Sequence, residues 1–453
     1  MKPKACDRKK LQGNLFRVEL QRLVTADHPL VQLGRRIDWS GFEEQLSPFY
    51  CEGKGRPAIA TRLMVGLHYL KHTYDLSDEE VVARWVENPY WQFFCGSKWF
   101  EHELPIDPSS MTRWRKKVGE EGLETLLAET IRVGVQSRVV KEKSFDQLNV
   151  DTTVQEKAIT FPTDAKLYDR MRERLVRMAK ENGVVLRQSY VRVARRALLK
   201  VGRYAHAKQF RRMRRGVKKL KTYLGRVMRD IERKTNGDAV LEACFEGALV
   251  LAKRIHTQQR QDKNKVYSVH APEVECIAKG KAHKRYEFGN KVGVVTTSRE
   301  GFVLAAKAFH GNPYDGHTMK ASIEQAERLS GRKFTGNLFA DRGYRKHDYE
   351  GPATVHLAGR SKKKMSRGFA RWYRRRSVIE AVIGHMKTDG RLGRNYLLGK
   401  QGDAINAILS GCGQNLRLLL GSRQFAERIF LFLYRIAIRF RPAPGEIFLH
   451  AVA

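Results

Sequence analysis

Four residues in the last quarter of the chain have a spacing that could do chemistry. Tyr373, Arg376, Glu380 and Lys387 stand three, four and seven positions apart. On one helix over about Arg367 to Lys387 they fall within about 60° of one another, at about 100° per residue. Val378, Ile379, Val382, Ile383 and Met386 take the opposite side. The apolar side would pack on a core, leaving one carboxylate flanked by Arg, Lys and Tyr on the outer face. A plain surface ion pair between Arg376 and Glu380 gives the same spacing and on its own is the simpler reading.

Two aspartates change that balance. Asp151 follows Leu148-Asn149-Val150 and precedes Thr152-Thr153. Asp341 follows Leu338-Phe339-Ala340 and precedes Arg342-Gly343-Tyr344. Aspartate is depleted in strands. Where an apolar strand ends in a turn, an aspartate projects into the crevice in which α/β sheets bind ligands. Two such aspartates and a glutamate form an oxygen-rich set suited to Mg²⁺ or Mn²⁺. Without a cation, three clustered carboxylates repel one another and their pKa values rise.

The elements that must position these residues read as follows. Residues 1–140 are helical. Pro57 opens a helix through Leu63, Val65, Leu67 and Leu70. Ser77 with Glu80 forms a capping box for the next helix, which runs into Trp91, Phe93 and Phe94. Ser109 or Ser110 caps a third helix, Met111 to Val118, whose exposed face carries Arg113, Arg115, Lys116 and Lys117. This arrangement suits a helix-turn-helix and equally a packing or dimerisation unit.

A strand begins near Phe145. Leu148, Val150 and Val154 share one of its faces; Asn149, Asp151 and Thr153 share the other, and Asp146 points away from Asp151. A second strand is expected at Ala158 to Phe161. Residues of about 165–262 read as basic helices turning at Asn182-Gly183 and Asn236-Gly237. One of them has a heptad seam of Phe210, Met213, Val217, Leu220, Leu224, Val227 and Ile231. Around it stand Arg211, Arg212, Arg214, Arg215, Lys218, Lys219 and Lys221, with almost no acids nearby, which favours phosphate contact over a merely solvated face. Strands follow at Tyr267 to Ile277, Tyr286 to Thr297 and Phe302 to Phe309. A helix near Thr318 to Leu329, strands at Asn337 to Ala340 and Ala353 to Leu357, and further helices complete a mixed α/β pattern.

The charge agrees with a polyanionic partner. The 453 residues contain 86 Lys and Arg against 48 Asp and Glu, a formal +38. Such a surplus concentrates polyanions and binds phosphate non-specifically. Cys6, Cys51, Cys95, Cys244, Cys276 and Cys412 include no C-x-x-C pair, which excludes a readable zinc ribbon or thioredoxin-type site and suits a reducing cytosol. The basic N-terminus has no apolar run of the signal-peptide kind. The apolar stretch Phe430 to Phe440 is interrupted by Arg435 and Arg439 and is too short for a membrane span of roughly 20 residues.

Taken together, Tyr373-x2-Arg376-x3-Glu380-x6-Lys387 resembles the Y-R-E-K signature of the DDE transposases of the insertion-sequence four/five superfamily. Asp341-Arg342-Gly343-Tyr344 resembles that family's second-aspartate block, and Val150-Asp151-Thr152-Thr153 its first. Gly55-Arg56-Pro57, Leu76-Ser77-Asp78-Glu79 and Asn88-Pro89 are similar to the helical domain of the insertion-sequence five group. The resemblance implies an RNase-H-like catalytic domain over 141–400, interrupted by the basic helical insertion, preceded by the helical domain 1–140 and followed by C-terminal helices over 401–453. It implies Asp151, Asp341 and Glu380 as a metal-binding triad for two Mg²⁺ or Mn²⁺ ions. Water would cut at the element end, and the freed 3′-hydroxyl would then attack target DNA. Tyr373 takes a positioning role, and Arg376 and Lys387 hold phosphate or flanking DNA. The expected partners are double-stranded DNA, as terminal inverted repeats and target, and a second copy of the chain. The expected location is the bacterial cytoplasm, at the nucleoid. A stand-alone metal nuclease of this fold and an inactive basic DNA-binding protein are the alternatives.

Overall fold

The computed structural model describes residues 18–51, 57–278, 284–359 and 366–439, with 422–439 as backbone only. Cys6, Gly55-Arg56, the side chains of the Phe430 to Phe440 stretch and residues 440–453 lie outside what is described.

Among the described residues seven helices come first: α1 (Leu20–Leu23), α2 (Pro29–Arg36), α3 (Trp39–Leu46), α4 (Thr61–Thr73), α5 (Asp78–Glu87), α6 (Pro89–Phe94) and α7 (Ser109–Gln136). Pro57 stands before α4 in extended chain, so this helix opens at Thr61 and not at the proline. The capping box is present in both directions: Glu80 N donates to Ser77 Oγ, and Ser77 N donates to Glu80. The helix it starts ends at Glu87, because Asn88 closes it and then caps α6 by accepting from Tyr90 N and Trp91 N. Neither Ser109 nor Ser110 caps α7; Asp107 accepts from Ser109 N instead. The expected short helix Met111 to Val118 continues to Gln136 through a kink at Gly119, whose φ of 71° suits glycine. Arg115 is the clearest departure in this region. It is buried, and its guanidinium clasps Asp78 through two bonds of 2.9 and 2.6 Å. It therefore ties α7 to α5 rather than facing outward with Arg113, Lys116 and Lys117.

Among the described residues the sheet has six strands. β1 (Gln147–Glu156) precedes the insertion; β2 (Glu275–Ile277), β3 (Glu287–Thr297) and β4 (Val303–Phe309) follow it. Then come α12 (Met319–Ser330), β5 (Asn337–Ala340) and β6 (Thr354–Leu357). The order is β2-β3-β1-β5-β6, with β4 also paired to β3. β1, β3 and β4 run antiparallel; β5 and β6 run parallel to β1. The fold is mixed α/β with a helical front region. The expected strand at Ala158 to Phe161 does not form: Lys157 makes an isolated bridge to Asn395 and the ladder stops there. The strand expected from Tyr267 shrinks to three residues, Glu275–Ile277.

One apolar cluster joins the front helices to the sheet. It contains Met64, Val65 and Trp85, then Leu148 and Val150 of β1, Val295 of β3, and Ile405, Ile408 and Leu409. The last three belong to α15 (Gly399–Arg439), which packs on α4, α7 and β4. The insertion has its own core, closed by α8 (Asp164–Glu181), α9 (Val191–His206), α10 (Phe210–Thr235) and α11 (Ala239–Thr257). Asn182 and Asn236 cap α8 and α10 at the expected turns.

The basic helix expected over Arg367 to Lys387 is two helices, α13 (Arg367–Arg375) and α14 (Val378–Thr388). Between them the hydrogen bonds tighten to i→i+3, with Ile379 N donating to Arg376 O and Glu380 N to Ser377 O.

Candidate active site

Asp151 lies in the middle of β1, not at its end. The parallel ladder explains how it can still face a crevice. β1 and β5 pair at Gln147 with Asn337, Leu148 with Leu338 and Asn149 with Phe339, and the ladder ends there. Two register steps further on, Asp151 is opposite Asp341, whose backbone is still extended. β5 turns away at this point while β1 continues. In-register residues on neighbouring parallel strands share a face, and such strands lie about 4.8 Å apart. The two aspartates therefore stand on one side of the sheet, at the mouth of the gap between β1 and β5.

The same side carries α14. Asp151 pairs across the sheet with Val294, and Val294 with Val292 packs against Ile379, Val382 and Met386. Glu380 follows Ile379 in that helix. Asn149, two residues before Asp151 on the same face, donates to the carbonyl of Arg375 at 3.1 Å. Arg375 in turn holds the β3–β4 turn, through Ser298 O at 3.2 Å and Arg299 O at 2.8 Å. The α13–α14 junction is thus pinned to the strand that carries Asp151. Sequence reasoning missed Asn149 and Arg375. Their only signal was that Asn149 shares Asp151's strand parity.

Glu380 itself is 62% exposed and meets Arg376 at 3.4 Å, the i,i+4 surface pair that its spacing also allowed. Among the described residues, no three His, Cys, Asp or Glu side chains stand close enough to hold a metal ion. Tyr373 does not face outward with Glu380. Its hydroxyl donates to Leu357 O at 2.8 Å, anchoring α13 to the end of β6. The helix break between them is the physical reason. Lys387 is half-buried near the other end of α14. Asp146 precedes β1 in a 3-10 turn and is exposed, so it has no strand face.

A further carboxylate approaches from the opposite side of the sheet. Asp315 Oδ1 accepts from Thr152 Oγ1 and from Lys291 Nζ, both at 2.9 Å. Gly343 separates it from Asp341, which accepts from Gly343 N at 2.8 Å. A Cβ at Gly343 would stand 2.9 Å from Asp341 Oδ1 and 3.2 Å from Asp315 Oδ2. A side chain there would push the Asp341 carboxylate aside, and the two carboxylates can be no further apart than those lengths combined. Tyr344 closes the floor. Burial, then the negative charge of Asp151, pushes its phenol well above the ordinary range. Asp151, Asp315 and Asp341 all bear on Tyr344, and carboxylate oxygens are the donors that a hard divalent cation takes.

The basic residues of the insertion lie on α10. Arg211, Arg212, Arg214, Arg215, Lys218 and Lys219 are all exposed, and the seam beside them is buried from Leu220 to Ile231. The seam's partners are α8, α9 and α11 of the same chain.

Residues 18–117 match a family described as Transposase domain (DUF772). Residues 252–416 match the Transposase DDE domain, a span that includes Asp341 and Glu380 but not Asp151. A protein of Rhizobium meliloti described as uncharacterized protein ORF8 in nfe locus is 54% identical over 199 residues, 44% of this chain and 96% of that protein. No solved structure gives a significant match. No helix among the described residues is long and apolar enough to cross a membrane. Two transposase domains in sequence, the second spanning the helix that bears Glu380, place this chain in the DDE transposase family.

Proposed function

We propose that this transposase cuts DNA at the ends of an insertion sequence of the five group and joins those ends to target DNA. In this reading one site performs both steps, and Asp151, Asp341 and Glu380 are its catalytic carboxylates. The observation that carries the proposal is the register of β1 and β5, which sets Asp151 beside Asp341 on the face packed by α14. Three antiparallel strands joined through β1 to two parallel strands also support an RNase-H-like domain. The three carboxylates would hold Mg²⁺ or Mn²⁺, as two ions, which when bound supply positive charge to the phosphodiester and its attacking oxygen.

The chain's own residues have separate tasks. Asn149 and Arg375 fix the helix junction over the strand. Gly343 lets the Asp341 turn close against Asp315. Arg376 and Lys387 would receive phosphate; the present contact of Arg376 with Glu380, at 3.4 Å, is weak enough for a phosphate to replace. Tyr373 serves as an anchor for α13. The substrates would be the element's terminal repeats and a target duplex, handled by a homodimer at the nucleoid.

Full-length protein incubated with Mg²⁺ and end-labelled element ends tests this reading. Strand-transfer products support it. Cleavage without joining would instead identify a stand-alone nuclease, and binding without either an inactive DNA-binding protein.

A further inference from the structure

Between Arg187 and Thr235 there are 18 Lys and Arg and two acids. The fold sorts this charge into two flanks. On α10, Arg212, Arg215 and Lys219 recur at spacings of three and four with Tyr223 and Arg226, a single stripe at helical periodicity. With Arg196, Lys200 and Tyr204 of α9, Arg212, Arg215, Lys219 and Tyr223 line one groove of about 410 Å³. Arg211, Arg214, Lys218 and Lys221 form a second stripe about 120° away, on the other flank. Arg214 there borders a separate, more apolar hollow with Met213 and Val217. The sequence grouped both stripes together.

The groove continues beyond Tyr223. That ring stacks on Tyr190 with centroids 4.8 Å apart, and Arg226 donates to Tyr190 Oη at 3.4 Å. Arg187, Arg229 and Arg233 line the hollow on the far side. The two acids offset little of this charge: Asp230 is buried and pairs with Arg233 and Lys234 at the far end, and Glu232 pairs with Lys253. From Arg212 to Arg233 the helix rises about 32 Å, close to one turn of duplex DNA.

Resting on the reading of this chain as a DNA-processing enzyme, we infer that the α9–α10 groove, and not the opposite flank, binds the sugar–phosphate backbone of duplex DNA over about one helical turn. Arginine and lysine supply the phosphate contacts. Tyr190, Tyr204 and Tyr223 fix the groove's floor, and Arg212 lies over Tyr204 at 5.9 Å.

The test uses full-length protein and a labelled duplex of arbitrary sequence, with affinity measured across salt concentrations. One variant combines R196Q, K200Q, R212Q, R215Q and K219Q; the other combines R211Q, R214Q, K218Q and K221Q. Each lost phosphate contact removes about 0.9 from the slope of log K against log salt. The groove variant is expected to lose about 3–4.5 of that slope and the flank variant less than about 1. The single reversals K200E and K219E, one on each wall, read the same slope with little load on the fold. Equal effects of the two sets, or an unchanged slope in the groove variant, would overturn the inference and leave the groove to a protein partner. Both outcomes leave the transposase reading standing, since wild-type protein still binds the duplex. Wild-type protein that binds no duplex would sink both.

Discussion

Asp151 and Thr152 are chain neighbours that serve opposite faces of one sheet. Asp151 faces α14; Thr152 holds Asp315 from behind. Lys291 completes that rear contact and also donates to Pro313 O at 2.7 Å. Its side chain is 10% exposed, and removing Asp315's charge leaves it without its carboxylate. Asp315→Asn and Lys291→Met are each expected to lower stability by about 1–3 kcal/mol, and the double variant by less than their sum. Urea denaturation of the three proteins measures this; strict additivity would mean the pair does not act as a unit. Asp315→Asn is also expected to slow cleavage more than Asp348→Asn, because the Asp348 carboxylate is taken up by Lys320 N in the first turn of α12. At this scale Asp151 and Asp341 were legible, because aspartate is rare in apolar strand sequence. Asp315 stands in a loop, and no local pattern records which loop folds back against a sheet. Tyr373 was misread because a helical-wheel argument assumes one unbroken helix.

The elements show why some patterns transfer and others do not. The Ser77–Glu80 capping box, the β5 strand and the turns at Asn182 and Asn236 depend on neighbours a few residues away, and all appear where the spacing predicts. The α10 seam is equally local, but its partner is not: a heptad pattern does not say whether the facing helix belongs to the same chain. Leu220 and Leu224 are 1% and 0% exposed within a four-helix core. Leu220→Asp with Leu224→Asp is therefore expected to lower the melting temperature while sedimentation gives an unchanged mass. A lighter species would show that the seam joins two copies instead. Arg115 illustrates the reverse case, a basic residue drawn inward by Asp78. Burial opposes ionisation of Asp78, but bonds from Arg115 and the charge of Lys71 outweigh it and hold the carboxyl well below its usual range. Beside them burial, then the charge of Arg115, lowers His68 to about 3. Its Nδ1 donates to Met64 O, so its Nε2 faces Arg115 as an acceptor. The folded value lies below the unfolded one, about 6.5. The stability this neutral ring contributes is thus complete above about 6.5 and is lost as pH falls toward about 3. Melting temperatures at pH 7 and pH 5 should differ less in His68→Gln than in wild type, although His72 is depressed in the same direction and remains. Equal differences would show that His68 is not a source of the acid sensitivity.

Across the whole molecule, two kinds of surface divide the work. The helical insertion concentrates basic charge on its own core, and the sheet concentrates acidic oxygens at the β1–β5 gap. On the proposed function, binding and chemistry are therefore expected to be separable by mutation. The front helices, the sheet and α15 share one apolar cluster, built from contacts hundreds of residues apart in sequence. That long-range packing is what composition and periodicity could not disclose. The account stands most directly on Glu380, the carboxylate that the present geometry leaves exposed beside Arg376. Strand transfer in Mg²⁺ by Glu380→Gln, measured next to duplex binding by the same protein, tests it. Joining is expected to fall at least a hundredfold with duplex affinity retained. Strand transfer near the wild-type rate would contradict it and remove Glu380 from the chemistry.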